Sequence, residues 1–371
     1  MSTRPRSTAT PGPDPDHSAG HSAGHSAGHG PGEGAGHGAL PVGRRPRARR
    51  RIAGALAALC VSALAACSSV TYEPTALPTK VTPSATPSTP GTPARACSNA
   101  TQSYDPLGSI PSRGQVSDPR VDEILKRGYL VVGVSADTYL FGARDPFTSQ
   151  ITGFDIDVAK AVATSLFGTP KLQLRVITAG DRLPLLEDGS LDMVARNMSM
   201  TCDRWTRIGF SAEYYRSGQK VLISKSLLST DKGADDWGLP ELKGKRVCAP
   251  TGTTSLTKLQ SVEGPLPVTA SNHTGCLVLL QQGKADAITG DDTVLAGLAA
   301  QDPNTLITTA KAVTVEPYGL GFNKNDVYLI RYVNRVLADL VADGQWKSIY
   351  NRWLAAPLGP APAPPTPVYG R

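Results

Sequence analysis

The sequence predicts an α/β fold built from two similar lobes, and two observations carry this prediction. First, strand and helix patterns alternate between residues 105 and 356, as they do in a doubly wound sheet. Second, a helix end, a glycine, an aspartate and an apolar strand occur twice, as "LLEDGSLDMVA" (185–195) and "LLQQGKADAIT" (279–289). Two lobes facing each other across a cleft would account for this repeat; a common helix-to-strand turn that arose twice is the alternative.

The first strand of this unit is "YLVVGVS" (129–135), a continuous apolar run typical of a buried parallel strand. The helix that follows is "GFDIDVAKAVATSLFG" (153–168), which Gly168 ends. Its apolar residues at helical spacing are Ile156, Ala159, Ala163 and Phe167. Further strands are predicted at "LQLRVI", "LDMVARN", "QKVLISK", "KRVCAP" and "ADAITG", and further helices at "TSLTKLQS", "GCLVLLQQG" and "VYLIRYVNRVLADLVADG".

The segments before this unit have a different composition. Residues 1–43 are rich in Gly, Ala, Ser, Pro and His, which predicts a disordered low-complexity leader. Residues 44–67 have a cationic start, an apolar Ala/Leu stretch and a small-residue end, the layout of a secretory signal peptide. Their last residues, "LAAC", resemble a bacterial lipobox, so we expect a lipid on Cys67 that anchors the protein at the extracytoplasmic face of the cell membrane. Ordinary cleavage beside an incidental cysteine is the alternative.

Proline-rich segments flank the folded unit on both sides. Residues 68–104 predict an extended tether, and residues 357–371 predict a disordered tail. The net charge of +7 is concentrated at the start of the chain, because residues 1–67 hold eight Arg and three acidic residues. The rest holds 30 basic and 28 acidic residues, and this near-neutral balance argues against nucleic acid as a partner.

Four cysteines follow residue 67: Cys97, Cys202, Cys248 and Cys276. An even number in an oxidising compartment predicts two disulfides, for which three connectivities are possible. We favour Cys97 with Cys202, which would tie the N-terminal segment to the body, and Cys248 with Cys276 within one lobe. No Cys-x-x-Cys spacing occurs and His273 is the only histidine after residue 67, so neither a metal site nor a cofactor is predicted.

The usual sequence motifs of enzymes do not occur. There is no P-loop, no Gly-x-Gly-x-x-Gly after a strand, no His-Glu zinc motif and no Gly-x-Ser-x-Gly elbow. The stretch "NMSMTCDRW" (197–205) instead suits recognition of a small carboxylate. Thr201 is placed to cap a helix whose first turn contains Asp203 and Arg204, which would bring backbone N–H groups and a guanidinium together. Taken alone, such an arginine is more often a solvated surface residue.

Taken together, these stretches resemble family 3 of the extracytoplasmic solute-binding proteins, which deliver polar amino acids to ABC importers. Within that family the sequence is most similar to glutamine- and glutamate-binding lipoproteins of high-GC Gram-positive bacteria. The matching stretches run through residues 118–356 in the family's order and include "GFDIDVAKAVA", "NMSMTCDRW", "LKGKRVCAPTGTTS", "LLQQGKADAITGDD" and "EPYGLGF".

The resemblance implies the type II periplasmic-binding-protein fold, in which two doubly wound, Rossmann-like lobes are joined by a two-strand hinge. Lobe 1 would comprise residues 105–223 and 317–356, and lobe 2 residues 224–316. The hinges would lie near Ser224 and Glu316.

The resemblance also implies a site for a free amino acid. Arg204 would bind its α-carboxylate, with hydroxyl and backbone contacts from Ser199. Asn197 would offer its carbonyl to the α-ammonium, and Asp291 would pair with that ammonium, or Asp292 if the register shifts by one residue. The remaining implied contacts are aromatic walls and a lobe 2 loop: Phe154, Tyr139 or Phe141, and Thr251, Thr253 and Thr254.

Specificity would depend on Arg182, which aligns with an arginine that glutamate/aspartate binders use for the side-chain carboxylate. Arg196 and Arg144 are additional candidates beside the cleft. A carboxylate buried without a partner is costly, so a second arginine favours glutamate or aspartate over asparagine or glutamine. The sequence departs from the family at Cys202, where a proline is common, and at Pro250, where glutamine binders place a basic residue.

We therefore expect a monomeric receptor anchored to the membrane, whose hinge closes on the amino acid. Its partner would be either an ABC permease or a signalling membrane protein. The rival from another class is a dehydratase acting on small carboxylic acids with the same fold, for which Asp291 or Lys258 would be the candidate acid or base.

Overall fold

The computed structural model describes residues 97–371. The predictions for the leader 1–43, for the signal segment 44–67 with its lipidated Cys67, and for tether residues 68–96 lie outside the described residues. Within residues 97–371, no helix is long and apolar enough to cross a membrane.

The folded unit alternates strands with helices as the sequence patterns indicate, and each strand and helix predicted above overlaps an observed one. The strands are β1 (Leu130–Val134), β2 (Asp137–Thr138), β3 (Gly142–Arg144), β4 (Ile151–Thr152), β5 (Leu172–Val176), β6 (Met193–Val194), β7 (Ile208–Phe210), β8 (Tyr215–Ser224), β9 (Arg246–Pro250), β10 (Leu266–Ala270), β11 (Ala287–Asp291), β12 (Thr305–Ile307), β13 (Val315–Tyr318) and β14 (Gly321–Asn323). The α-helices are α1 (Pro119–Arg127), α2 (Phe154–Phe167), α3 (Arg182–Glu187), α4 (Cys202–Trp205), α5 (Leu227–Thr230), α6 (Thr254–Gln260), α7 (His273–Gln281), α8 (Asp292–Gln301), α9 (Val327–Ala342), α10 (Gln345–Trp353) and α11 (Ala355–Leu358). Short 3-10 helices cover Arg113–Gln115, Ala234–Asp236 and Pro240–Leu242.

Lobe 1 is organised around a five-stranded sheet in the order β5-β1-β6-β14-β7. Strand β1 runs parallel to β5 and β6, whereas β14 runs antiparallel to β6 and β7. Every residue of β1 is buried, as expected for a parallel strand with both faces covered. Helix α2 supplies part of that cover and ends at Gly168, whose φ of 74° gives the left-handed cap that glycine favours.

Lobe 2 repeats this plan with the strand order β10-β9-β11-β8-β12. Strand β9 runs parallel to β10 and β11, and β8 runs antiparallel to β11 and β12. Its buried core lies on both faces of the sheet, with Val247 on one side and Ile288 on the other. The two lobes thus share a parallel centre joined to an antiparallel strand, which confirms the predicted pair of doubly wound lobes.

Two antiparallel strands connect the lobes. Strand β13 pairs with the first part of β8, where Tyr318 lies opposite Tyr215 and Val315 opposite Gly218. Residues 219–224 of β8 pair with β11 and β12 in the lobe 2 sheet. The first crossing between the lobes therefore lies at residues 215–218 rather than near Ser224, because one ten-residue strand serves first as hinge and then as sheet strand.

Both disulfides have the predicted pairing. Cys97 is joined to Cys202 at the start of α4 in lobe 1. Cys248 in β9 is joined to Cys276 in α7, and both lie in the buried core of lobe 2.

The segments at the two ends of the folded unit pack against lobe 1, which corrects the prediction of a disordered tail over residues 357–371 and of a tether that reaches residue 104. Val368 forms a parallel bridge with Gln102, and the Ser103 amide donates to the Val368 carbonyl over 2.9 Å. Arg371 donates to the carbonyls of Gln102 and Asn99 over 2.7 and 2.6 Å. Proline removes amide donors and so weakens regular strand patterns, but these individual bonds hold an extended segment in place.

Candidate functional site

A cavity between the lobes collects residues that lie at or just beyond the carboxyl ends of the parallel strands, the edge where open α/β sheets bind ligands. Its volume is about 20 Å³, room for roughly one water molecule, so the lobes lie close together here and must move apart to admit a larger ligand. Its walls are mostly polar. The lining residues are Ala179, Arg182, Arg196, Asn197, Ser199, Arg204, Pro250, Thr253, Thr254, Ser255, Asn272, His273 and Asp291.

Arg204 lies on α4 and is only 9% exposed. Thr201 caps this helix by accepting a hydrogen bond from the Arg204 amide over 3.2 Å. The Arg204 guanidinium donates to the carbonyl of Ser199 in lobe 1 over 2.6 Å and to that of Gly252 in lobe 2 over 3.2 Å. Because the helix has only four residues, its dipole adds little, and the guanidinium supplies the positive charge at this place.

Arg182 opens α3 and is 2% exposed. Its guanidinium donates to the carbonyls of Ala179, Arg196 and Gly252 over 2.9, 3.3 and 2.9 Å. Burial, and then repulsion from Arg204, lower the pKa of Arg182. Within the described residues, both guanidiniums donate to main-chain carbonyls and neither forms an ion pair with a carboxylate. Both positive charges are therefore available to a bound anion.

Gly252 brings the lobes into contact at the point where these two arginines converge. Its φ of +74° lies in the left-handed region, and a Cβ built there would stand 2.8 Å from Gly180 Cα in lobe 1. A side chain at position 252 would therefore push the lobes apart. Glycine allows the Gly252 carbonyl to accept hydrogen bonds from Arg182 and Arg204 together.

Asn197 follows β6 with a left-handed backbone, φ 33°, which asparagine tolerates better than most residues. The main-chain amide of Asn197 donates to one carboxylate oxygen of Asp155 over 2.8 Å, and the Tyr214 hydroxyl donates to the other over 2.6 Å. Burial raises the pKa of Asp155 to about 6. The side-chain oxygen of Asn197 is buried with no hydrogen-bond partner in residues 97–371, so it is an acceptor suited to a cationic ligand group.

Asp291 ends β11 on the lobe 2 side and is 5% exposed. Its Oδ2 accepts from the Tyr318 hydroxyl over 2.5 Å, whereas its Oδ1 has no partner in the described part of the chain. Burial, and then the negative charge of Glu316, raise the pKa of Asp291 to about 7. The neighbouring Asp292 accepts from the Ser217 hydroxyl and does not line the cavity, so the structure brings Asp291 rather than Asp292 to the site.

The lobe 2 loop contributes two of its three predicted threonines. Thr253 caps α6 by accepting from the Leu256 amide over 3.1 Å. The Thr254 hydroxyl donates to Glu316 over 2.8 Å and lies 3.4 Å from the Ser199 hydroxyl across the cleft. Thr253 and Thr254 line the cavity, whereas Thr251 is exposed and does not.

Several other predicted residues lie away from the cavity. Phe141 and Phe154 are fully buried in the core of lobe 1, with ring centroids 5.7 Å apart. Tyr139 is 47% exposed and Arg144 is exposed. The expected aromatic walls are therefore absent from the lining residues of the described cavity, because the rings of Phe141 and Phe154 pack into the core of lobe 1 and Tyr139 is exposed. Lys258, the candidate catalytic base, lines a groove outside the cavity.

Three polar residues that line the cavity were not anticipated from the sequence: Ser255, Asn272 and His273. The Nε2 atom of His273 is buried without a partner in residues 97–371. Burial, and then the charge of Arg196, lower the pKa of His273 to about 4, so the ring is neutral at pH 7. The available signal was that His273 is the only histidine after residue 67 and directly follows an asparagine able to cap a helix.

Arg196 also lines the cavity but has acidic neighbours. Its guanidinium donates to the Ile177 carbonyl over 3.0 Å. Burial lowers its pKa, while the charges of Asp137, Asp155 and Asp181 oppose that shift. Fewer acidic side chains act on the other two arginines, Asp291 on Arg182 and Glu316 with Asp291 on Arg204, so these two are better suited to an added anion. No group of three or more His, Cys, Asp or Glu in residues 97–371 is placed to hold a metal ion.

Known proteins share both the sequence pattern and the fold. Residues 130–356 match the sequence profile of the bacterial extracellular solute-binding proteins, family 3. The ABC transporter glutamine-binding protein of Bacillus subtilis (strain 168) is 32% identical over 253 residues, which cover 67% of this chain and 90% of that protein. The glutamate/aspartate import solute-binding protein of Salmonella typhimurium is 28% identical over 252 residues, 65% of this chain and 81% of that one. A crystal structure of a mutant of ArgBP from T. maritima matches with a TM-score of 0.59 and 29% identity over 64% of this chain and 99% of that one.

Proposed function

Because this chain belongs to family 3 of the bacterial extracellular solute-binding proteins, we propose that it is an extracytoplasmic receptor for glutamate or aspartate. The receptor binds the free amino acid between its lobes and presents it to an ABC permease. Two of the similar proteins are named for glutamine and for glutamate and aspartate, which supports a polar amino acid as the ligand. The charges that line the cavity support the choice of an acidic one.

The proposal rests on the match between the charged groups of the cavity and those of an acidic amino acid. Two buried guanidiniums, those of Arg182 and Arg204, donate to carbonyls without a carboxylate partner within the described residues. One buried carboxylate oxygen, Oδ1 of Asp291, is unpaired on the lobe 2 side. Glutamate and aspartate carry two carboxylates and one ammonium, so each ligand charge meets an opposite charge of the protein.

Neutral and cationic amino acids match this cavity less well. A side-chain amide would leave the buried charge of Arg182 without an anion, and burying an uncompensated charge is costly. A cationic side chain would stand beside Arg182, and two like charges about 4 Å apart repel by roughly 4 kcal/mol at an effective dielectric of 20. The acidic ligands avoid both penalties.

Binding would couple to closure because the ligand bridges the lobes. Arg204 belongs to lobe 1 and Asp291 to lobe 2, so the full set of ligand contacts exists only when the lobes approach. The protein's own contacts across the cleft, from Arg182 and Arg204 to the Gly252 carbonyl, form in the same arrangement. The amino acid thus stabilises the closed form by the difference between its contacts in the closed and open forms.

The proposed specificity is tested by calorimetry on the full-length protein in detergent, freed of bound ligand by unfolding and refolding. Glutamate or aspartate is expected to bind more tightly than asparagine and glutamine. In Arg182→Met, the acidic ligands should lose about 30-fold in affinity, ~2 kcal/mol, because a charge-assisted hydrogen bond disappears. The affinity of Arg182→Met for glutamine should change by less than about fivefold.

Arg175→Met is the matched control, because Arg175 is exposed on β5 of the same lobe and does not line the cavity. It is expected to bind all four ligands as the unmodified protein does. If none of the four amino acids binds, the proposed function is rejected. If glutamine binds more tightly than glutamate, the acidic preference is rejected.

We further propose that the receptor is a monomer held at the outer face of the membrane by a lipid on Cys67. The signal-like segment that ends at Cys67 supports this location. In cell fractionation, the unmodified protein should remain with the membrane, and Cys67→Ser should appear in the soluble extracytoplasmic fraction. An unchanged membrane association of Cys67→Ser would contradict the lipid anchor.

A further inference from the structure

Both ends of the folded unit meet on the short helix that carries Arg204. Cys97 is joined covalently to Cys202, the first residue of α4. The indole of Trp205, the last residue of α4, donates to the Ala100 carbonyl over 2.7 Å. We call residues 97–103 and 368–371 together the end clamp.

The C-terminal half of the end clamp contacts the same helix. The Arg371 guanidinium lies over the Trp205 ring, 3.8 Å from its centroid, a close cation–π contact. Arg371 also donates from its guanidinium to the Asn99 carbonyl over 2.6 Å and from its amide to the Ser103 carbonyl over 3.0 Å. One residue therefore joins the C-terminal segment, the N-terminal segment and α4.

Buried contacts fasten the end clamp to lobe 1. Ser103 is fully buried, and its hydroxyl donates to the Phe210 carbonyl over 2.8 Å. The Asn334 side-chain amide donates to the Ser103 hydroxyl over 3.0 Å. Trp205 packs against Phe210 with ring centroids 5.3 Å apart. The clamp thus connects α4 to β7 and α9, which are parts of the lobe 1 framework.

Helix α4 needs support from outside itself. It comprises four residues, and a single turn fixes several dihedral angles for few hydrogen bonds, so it is unstable alone. Its capping residue, Thr201, directly precedes the disulfide-bonded Cys202. Movement of either would shift Arg204, whose guanidinium must reach the cavity from this turn.

We propose that the end clamp is a positioning element that holds Arg204 in place for the ligand's α-carboxylate, so that an intact clamp sets the affinity of the receptor. Cys97, Trp205 and Arg371 are positioning residues, and none of them lines the cavity. The physical basis is preorganisation: a group already held in its bound position loses less freedom on binding. This inference rests on the proposed function.

Two clamp variants of the full-length protein test the inference: the double variant Cys97→Ser with Cys202→Ser, and Arg371→Ala. Each is expected to weaken glutamate binding about tenfold, within the range usual for coupling between separate sites. The matched control is Cys248→Ser with Cys276→Ser, which removes the lobe 2 disulfide. That control should lower thermal stability and leave glutamate affinity within about twofold of the unmodified protein.

Selectivity distinguishes positioning of Arg204 from a general loosening of the cavity. Every amino acid carries an α-carboxylate, so the clamp variants should weaken glutamate and glutamine by the same factor, whereas Arg182→Met changes their ratio. Unchanged glutamate affinity in Arg371→Ala, or a changed glutamate-to-glutamine ratio, would overturn the inference. If the double cysteine variant does not fold, Arg371→Ala decides the question. Failure of the unmodified protein to bind any of the four amino acids would instead reject the proposed function.

Discussion

Replacing Arg204 with alanine is expected to weaken glutamate binding by about two to three orders of magnitude, ~3–4 kcal/mol. The Arg204 guanidinium is buried and already fixed by its bonds to the carbonyls of Ser199 and Gly252. Removing it leaves the ligand's α-carboxylate in a closed cleft without its main counter-charge, and such a loss costs more than a surface ion pair. Calorimetry with the full-length protein measures the change directly.

Two further variants sharpen this result. Arg204→Lys keeps the charge but loses the planar bidentate geometry, so its affinity should fall between those of the unmodified protein and Arg204→Ala. Arg207→Ala is the matched control, because Arg207 is half exposed and pairs with both oxygens of Glu187 over 2.6 Å. An Arg204→Ala variant that binds glutamate as well as Arg207→Ala would remove Arg204 from the site.

The second large effect is expected for Asp291→Asn, which should also lose about two orders of magnitude in affinity, ~3 kcal/mol. The substitution keeps the shape of the side chain and removes the negative charge that, on the proposed function, faces the ligand's ammonium. The hydrogen bond with Tyr318 is kept, because the side-chain carbonyl of asparagine can accept from the Tyr318 hydroxyl as Oδ2 of Asp291 does. The loss therefore reports the charge of Asp291 rather than a collapsed cleft.

The pH dependence of binding provides an independent measure of the same group. Burial, and then the charge of Glu316, raise the pKa of Asp291 to about 7. The ligand's ammonium favours the ionised carboxylate, so a proton competes with the ligand: affinity is fully present above pH 7 and falls as the pH drops through 7. Between pH 8 and pH 6 the expected loss is about tenfold. Asp155, with a pKa of about 6, adds a smaller effect at the acid end.

Two variants check this assignment by measuring affinity across the same pH range. Asp291→Asn should lose most of the pH dependence. Asp292→Asn should keep strong binding, and its midpoint should move to lower pH because the charge of Asp292 contributes to the raised pKa of Asp291. A pH profile of Asp291→Asn that matches the unmodified protein would assign the titration to another group.

Local patterns were sufficient for the elements of the fold. Helix α2 was predictable from apolar residues at helical spacing and from Gly168, which ends it. Strand β1 was predictable from a continuous run of apolar residues, all of which are buried. The number of disulfides followed from counting cysteines, and the observed pairing is the one favoured among three possible connectivities. Arg204, Arg182 and Asp291 were named as candidates because the family pattern ties each to a short motif, and all three line one cavity.

Features that depend on distant parts of the chain were not predictable in the same way. The sequence pattern predicted a strand only at "QKVLISK" (219–225), whereas β8 begins at Tyr215. Its different partners at residues 215–218 and 219–224 separate the hinge from lobe 2. The tail reads as disordered because proline-rich composition has no periodic pattern, whereas its order comes from bonds to residues 99–103. Phe154 begins α2, close to the start predicted from the sequence. The rings of Phe141 and Phe154 nevertheless pack into the core of lobe 1 and not against the cavity.

The sequence by itself determined that this protein is a two-lobed α/β solute-binding protein, because periodicity, turn residues and family motifs are properties of neighbouring residues. Only the tertiary structure decided which charged groups share the cavity, that His273 joins them, and that both ends of the folded unit converge on the helix of Arg204. These are contacts between segments up to about 270 residues apart, and they depend on how the lobes pack rather than on any local preference of the chain.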